Sequence, residues 1–347
     1  MKISKPRVLD LFSGAGGMSL GFAEAGFHIS AAVDNWQDAL DTLRHNHPDI
    51  KTANIDLSSK SKLDVFLEEL VDVDVIVGGP PCQGFSIAGK RDPEDPRNKL
   101  YSGFVKAVST IRPSYFVMEN VPTIGSPSNR PLFNSIIEDF QNLGYAVTAD
   151  VLLASQFGVP QNRRRMFIVG SSADNALINF PIASSRFVTT KEAISDLPEN
   201  SQSDGSEYMS TAQSDYQTQV RINAHSVFNH QVTDHSARTQ EVIAQVPDGG
   251  NYKDLPERFR GIRNVNIAWT RLNSEKPSFT IDTGHRHHFH YKYNRVPTAR
   301  ESARLQSFPD TFQFLGSKTS QLKQIGNAVP PLLAKALADN ILMRLGG

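Results

Sequence analysis

"RVLDLFSGAGGMSLGFAEAGFHISAAVDN", residues 7–35, carries the pattern on which the fold turns. An apolar run, RVLDLF, reads as a short strand. It breaks at Gly14, Gly16 and Gly17, resumes as a helix with Gly26 at its C-cap position, and returns to a second apolar run that ends on Asp34. Strand, glycine turn, helix and strand form the repeating unit of a parallel sheet. Glycines permit a tight turn and close approach of a ligand to the backbone, and the helix N-terminus beyond them adds partial positive charge. The third glycine of a dinucleotide fingerprint would fall at Ser19, so the loop alone is a weak signal. Asp34, at the next strand end, is placed to hold a ribose hydroxyl pair. Loop and acid together indicate an adenosine-containing cofactor, with NAD and S-adenosylmethionine both open.

Outward from this stretch the alternation continues to about residue 170, through WQDALDTLRHN, SKLDVFLEEL, VDVIVGG, YSGFVKAVSTI, SYFVMEN, LFNSIIEDFQNLG and RMFIVG. This predicts an α/β fold: a mostly parallel sheet with helices on both faces. The motifs FSGAGG, DN, GGPPCQ and ENV all follow strands. Ligands of such sheets bind outside the carboxyl ends of the strands, so these four loops should build one crevice. Beyond residue 185 the alternation fails, and the Ser/Gln-rich tract 199–220 reads as a loop or insert. The expected organisation is a catalytic and cofactor-binding domain over 1–185, completed by 318–347, a smaller domain over 186–294, and a hinge region over 295–317. The chain closes on an amphipathic helix with Pro331 in its first turn and Leu332, Leu333, Ala336, Leu337 and Ile341 on one face.

Composition excludes several classes. At 347 residues the chain is long enough for one large domain and a smaller one. No apolar run approaches the roughly 20 residues of a membrane span, and the N-terminus lacks a signal-peptide apolar region. One cysteine makes neither an internal disulfide nor a cysteine-rich zinc site, which fits a reducing cytoplasm. The formal charge of zero hides an asymmetry. Residues 1–75 carry 7 basic and 12 acidic side chains, whereas residues 253–304 carry 11 basic and 5 acidic, with four histidines. The second region suggests a surface that meets a polyanion.

That single cysteine, Cys82, stands in "VDVDVIVGGPPCQGFS", residues 71–86, in a Pro/Gly loop after a buried strand. A buried structural role is the common fate of a lone cysteine. Here the loop faces the expected crevice, and a nearby positive charge would raise the thiolate fraction of a thiol whose ordinary pKa is about 8.5. Arg163, Arg164 and Arg165 in QNRRRMF are candidates for that charge. Glu119 follows four apolar residues in SYFVMENV and is a plausible partner for a basic ring nitrogen.

The set DLFSGAGG, GGPPCQGFS, MENV, QNRRRMFIVG, RVPTARESARLQSFPD and QIGNAVPPLLA resembles the DNA cytosine-5 methyltransferases, in that family's usual order and over residues 7–345 except for the variable middle. The resemblance implies a Rossmann-like S-adenosylmethionine-dependent fold with a smaller target-recognition domain. It implies that Cys82 adds to carbon 6 of a cytosine turned out of duplex DNA, that Glu119 contacts ring nitrogen 3 and the amino group, that Arg165 meets carbonyl oxygen 2, and that Arg163 helps position Cys82 and the base. Gln83 and Ser86 join Arg163 and Arg165 as nucleic-acid contacts. For S-adenosylmethionine the matching positions are Phe12, Ser13, Gly14, Gly16, Gly17, Asp34, Asn35, Asp56, Pro80, Leu100, Asn327 and Val329. Either Asn35 or Trp36 covers the adenine. No metal is implied, and His285, His287, His288 and His290 are expected to be structural or phosphate-contacting. The family also implies a cytoplasmic prokaryotic modification enzyme with a cognate restriction endonuclease as its genetic partner; a branch acting on transfer RNA is the alternative.

Overall fold

The computed structural model describes residues 5–70, 72–81, 96–260, 269–283 and 288–346. The chain divides into two compact units. The first comprises Met1–Leu153, Arg164–Ile182 and Pro331–Gly347, and the second Ala154–Arg163 and Ala183–Pro330.

The first unit is built on seven strands: β1 (Arg7–Leu11), β2 (His28–Asp34), β3 (Lys51–Asn54), β4 (Val75–Gly78), β5 (Tyr115–Asn120), β6 (Ala146–Leu153) and β7 (Arg164–Ser171). Their order in the sheet is β3-β2-β1-β4-β5-β7-β6. The first five run parallel, while β7 lies antiparallel to both β5 and β6. Five helices join or flank them: α1 (Gly17–Ala25), α2 (Gln37–Asn46), α3 (Lys60–Glu68), α4 (Pro96–Ile111) and α5 (Arg130–Asn142). β4 is buried along its whole length, as is β5 apart from a half-buried Glu119, which is why both read as continuous apolar runs. Between the sheet and its helices lies a cluster that includes Phe104, Phe116, Phe140 and Tyr145. The rings meet edge-on in part: Phe104 and Phe140 at 6.1 Å and 89°, Phe116 and Tyr145 at 5.3 Å and 67°.

The strand order reverses between β1 and β4. At that switch point, where open α/β sheets bind their ligands, the first glycine loop and the Gly-Gly-Pro-Pro turn emerge from the carboxyl ends of these two strands.

Among its described residues the second unit has little regular structure. It contains the short helices α6 (Thr190–Ile194), α7 (Asp215–Val220), α8 (Ala237–Ala244), α9 (Glu257–Arg260), α10 (Ala299–Leu305) and α11 (Lys318–Asn327), and a two-stranded ribbon, β8 (Thr270–Arg271) with β9 (His288–Phe289). The polar tract 199–220 thus ends in a helix, α7, capped by the Ser214 side chain. Residues 295–330 lie in this unit. The chain then returns to the first unit as α12 (Pro331–Leu345). There α12 packs on α1 at Gly21, where a Cβ would stand 2.5 Å from the Pro331 carbonyl oxygen. The buried face of α12 comprises Leu333, Ala334, Leu337, Ala338 and Ile341, while Leu332 and Ala336 are half-buried.

The interior of the second unit is ionic. Arg304 pairs with Asp196 and reaches Asp310 at 2.7 Å, and Arg295 holds Glu301 through two bonds of 2.7 and 2.8 Å, all of them buried. Arg271 and Arg300 are buried as well, and both donate to backbone carbonyls. Among the described residues, four of the basic side chains between 253 and 304 are therefore interior. The basic surface inferred from composition is correspondingly smaller, because these guanidinium groups satisfy carbonyls and carboxylates within the fold.

Candidate active site

The first glycine loop is held by two carboxylates. Asp34, at the tip of β2, accepts from the backbone N–H of Gly14 at 2.8 Å and of Trp36 at 2.9 Å. It therefore ties the loop after β1 to the loop after β2. Asp10, fully buried within β1, accepts from the Ser19 N–H at 3.2 Å and the Ser19 hydroxyl at 2.6 Å. It serves the first turn of α1, whose N-cap, Gly16, has no side chain to do so. Burial pushes the Asp10 carboxyl up to about 7; the two Ser19 bonds pull the other way, and the charge of Asp34 adds to the rise. Sequence reasoning gave Asp10 no role, although an aspartate inside an apolar strand run is a visible signal.

The backbone of the loop is bent hard. Phe12 takes φ 58°, Gly14 φ 53° and Gly16 φ 92°. For Phe12 this left-handed conformation is strained. A Cβ on Gly16 would lie 2.4 Å from Leu43, whereas one on Gly14 would meet nothing within 4 Å. Gly16 thus closes the loop against α2, and Gly14 leaves open space in front of it. Beside it the Ser13 hydroxyl is buried with no hydrogen-bond partner among the described residues. Gly17 is the first residue of α1 and is buried.

These features fit a small polar cofactor: a bent glycine loop, open space, a helix N-terminus and an orphaned hydroxyl. Asn35 is exposed, and half-buried Trp36 is the N-cap of α2. Asp56 is exposed after β3 and accepts from the Ser58 N–H at 2.9 Å. Pro80 is buried and Leu100 half-buried against the apolar cluster. Asn327 and Val329 belong to the second unit, the former exposed at the end of α11 and the latter buried.

A second group gathers where β4 and β5 end side by side. Gly78 registers with Met118, so the Gly-Gly-Pro turn leaves the sheet next to Glu119. A Cβ on Gly79 would stand 3.0 Å from Glu119 Oε2, and Asn120 Nδ2 donates to the Pro80 carbonyl at 2.9 Å. On the other side, β7 brings Arg165, whose Nε lies 2.7 Å from Glu119 Oε1. The two side chains are 16% (Arg165) and 14% (Glu119) exposed, so the pair is held yet reachable from solvent. Glu119 is thus held by an arginine on one oxygen, and its other oxygen lies close to the Gly79 backbone. Cys82, Gln83 and Ser86 lie outside the described residues, as do His285 and His287.

Arg163 sits differently from Arg165. It is 1% exposed, and its two terminal nitrogens donate to the Ile281 carbonyl at 3.1 Å and the Gly326 carbonyl at 2.9 Å. His290 is buried; its Nδ1 accepts from Lys292 and Tyr293, and burial lowers its pKa to about 3. Among the described residues no cluster of His, Cys, Asp and Glu is arranged to hold a metal ion, and no helix is long and apolar enough to cross a membrane.

Residues 6–343 match the family described as C-5 cytosine-specific DNA methylase. The chain belongs to that family. It is 41% identical over 340 residues to the type II methyltransferase M1.HphI of Haemophilus parahaemolyticus, an alignment covering 96% of this chain and 86% of that one. With M.DdeI of Desulfomicrobium norvegicum it shares 39% over 365 residues, covering 96% and 88%. Among solved structures, a candidate DNA modification methyltransferase encoded within an E. coli prophage superposes with a TM-score of 0.82 at 28% identity, covering 99% of this chain and all of the other. The Dnmt2 methyltransferase of S. pombe, at 16% identity and a TM-score of 0.62, shares the fold. This cytosine-5 methylase therefore has the Rossmann-like α/β sheet of its family and uses S-adenosylmethionine to methylate carbon 5 of cytosine. NAD, which the glycine loop alone left open, is excluded by the family.

Proposed function

We propose that this methylase modifies one cytosine within a specific duplex DNA sequence, as the modification half of a cytoplasmic prokaryotic restriction system. The observation that carries the residue assignment is the Glu119–Arg165 pair, set against the Gly79 backbone three residues before Cys82.

In this reading Gly14, Gly16 and Gly17 with the Ser13 hydroxyl receive the cofactor. Phe12, Asp34, Asn35, Asp56, Pro80 and Leu100 complete its surroundings, and Asn327 and Val329 are the remaining cofactor positions that the family resemblance assigns. When bound, S-adenosylmethionine supplies an electrophilic methyl group. The chain must first make carbon 5 nucleophilic. The Cys82 thiolate bonds to carbon 6, and the electron pair displaced from the 5,6 double bond raises the electron density at carbon 5. Glu119 holds ring nitrogen 3 and the exocyclic amino group and supports protonation of the ring as sulfur adds. Arg165 donates to carbonyl oxygen 2 and keeps the Glu119 carboxylate in line. After transfer the proton on carbon 5 leaves, the carbon–sulfur bond breaks, and aromaticity returns. Carbon 6 is inaccessible in stacked DNA, so the base is turned out at a cost of a few kcal/mol. Gln83 and Ser86 would steady the opened duplex. Residues 186–294 would read the sequence, with 295–317 as the hinge, and binding should weaken as salt rises.

Incorporation of labelled methyl groups into duplex DNA and into transfer RNA tests the substrate. Label in duplex DNA alone is expected; label in transfer RNA alone would overturn the DNA assignment in favour of the RNA-modifying alternative. Bisulfite sequencing of a plasmid from expressing cells then gives the recognised sequence.

A further inference from the structure

The two acids that hold the glycine loop, both in the first unit, are satisfied to different degrees. Asp34 is half-buried, and each of its oxygens accepts a backbone N–H, from Gly14 on one and Trp36 on the other. Asp10 is fully buried in β1, and a single oxygen carries its bonds: Oδ2 accepts from the Ser19 N–H at 3.2 Å and from the Ser19 hydroxyl at 2.6 Å. Its Oδ1 is buried with no hydrogen-bond partner among the described residues, and the Ser13 hydroxyl, three residues along the same turn, is in the same state. The carboxyl behind the loop is therefore half-satisfied in a dry site, where an ionised oxygen left without a partner is costly.

The surrounding elements bring it no counter-charge. On β1, Asp10 registers with Ala32 of β2 and Val77 of β4, neither of which is ionisable. Arg7 and His28 stand at the starts of β1 and β2, and Glu24 of α1 is met by Lys335 of α12, which also pairs with Asp339. The charge that bears on Asp10 is that of Asp34, and it is of the same sign. Burial, with Asp34 adding to it, raises the Asp10 carboxyl to about 7 against the pull of the two Ser19 bonds. A cation received by the loop would supply what the fold withholds. S-adenosylmethionine is a sulfonium cation, whereas its demethylated product, S-adenosylhomocysteine, is a neutral thioether otherwise alike.

We propose that Asp10 is a specificity-determining residue of the cofactor site, a buried carboxyl behind the glycine loop whose negative charge favours the sulfonium of S-adenosylmethionine over the thioether of the spent product. The inference rests on the proposed function, in which this loop receives the cofactor. A cation favours the ionised carboxyl, so binding S-adenosylmethionine near pH 7 drives the Asp10 proton into solvent, and its affinity rises with pH as that proton is lost.

Calorimetry of the full chain with S-adenosylmethionine and with S-adenosylhomocysteine, from pH 6 to 8, gives the ratio of the two affinities. Asp10→Asn keeps the shape and an acceptor for Ser19 but carries no charge, so its drift with pH belongs to the cofactors' own groups. The shift of the ratio toward S-adenosylmethionine should be larger in the wild type than in Asp10→Asn by about three-fold or more, the scale of a partly screened charge pair. At pH 7 the heat of S-adenosylmethionine binding should differ between PIPES and Tris, which take up protons with different heats, and should differ less in Asp10→Asn. Ser19→Ala gives an independent reading should Asp10→Asn fold poorly: it removes a bond that favours the ionised carboxyl, so the midpoint of the wild-type drift should move to higher pH. The same pH course in wild type and Asp10→Asn, or a midpoint unmoved in Ser19→Ala, overturns the role of Asp10. A wild type that binds neither cofactor form overturns the underlying site assignment instead.

Discussion

Phe116 and Arg304 are both fully buried, one in each compact unit, and for different reasons. Phe116 sits among Phe104, Phe140 and Tyr145 on a strand buried on both faces, and its burial removes apolar surface from water. Arg304 sits between Asp196 and Asp310, with Tyr208 donating to the same Asp310 carboxylate at 2.6 Å. Its burial is tolerable only because every charge has a counter-charge and a bond. An apolar core yields gradually when one member is trimmed. An ionic core holds irregular loops in a single arrangement, and fails sharply when one partner is removed.

Arg304→Leu should therefore have the largest effect on stability. It leaves Asp196 and Asp310 buried without their shared cation, a loss of about 3–5 kcal/mol. Arg304→Lys should recover little, since an ammonium cannot serve two carboxylates with the geometry of a guanidinium. The two tryptophans, Trp36 and Trp269, lie one in each unit, so urea melts of Trp36→Phe and Trp269→Phe backgrounds report the units separately. The loss should appear first in Trp269 fluorescence, and equal losses at both probes would break the comparison.

Phe140→Leu in the first unit should cost less, about 1–2 kcal/mol, because leucine keeps most of the apolar volume. A larger cost than that of Arg304→Leu would reverse the ranking of the two cores.

The third expected effect is a difference in the sign of the pH response. In the first unit, the folded-state pKa of Asp10 is raised to about 7. Its contribution is fully present below pH 4 and is lost as pH rises through 7. In the second unit His290 is held neutral, its pKa lowered to about 3 by burial, which outweighs the opposing pull of Glu301 and is joined by Arg295, Arg271 and His230. Its contribution is present above pH 6.5 and is lost as pH falls. Glu301 and Asp310 are depressed by Arg295 and Arg304, and their contributions are also lost in acid. Going from pH 7 to 5, the Trp36 probe should report a gain in stability and the Trp269 probe a loss. Asp10→Asn should abolish the gain.

The same contrast explains what the sequence disclosed. The buried strands β1, β2, β4 and β5 were legible as apolar runs, and Gly26 does adopt positive φ beyond its helix. The two strands missed, β3 and β6, are the edges of the sheet, mostly exposed or half-buried, and so carry no apolar signature. At the candidate site, the pairing of Glu119 with Arg165 follows from β7 lying antiparallel beside β5, a neighbourhood that local patterns do not encode. In the second unit almost nothing was legible. Arg295, Arg300, Glu301, Arg304 and Gln306 look like surface residues by type. They are interior because their partners lie near in space yet often far along the chain, as Asp196 does from Arg304.

The central claim is covalent catalysis by Cys82 beside the Glu119–Arg165 pair. Once bisulfite sequencing has located the target, duplex DNA carrying 5-fluorocytosine at that cytosine should trap a protein–DNA adduct stable to denaturation, because fluorine cannot leave carbon 5 as a proton does. The account predicts this adduct for the wild type, its absence in Cys82→Ala, and its slow formation in Glu119→Gln. An adduct that survives Cys82→Ala would contradict it.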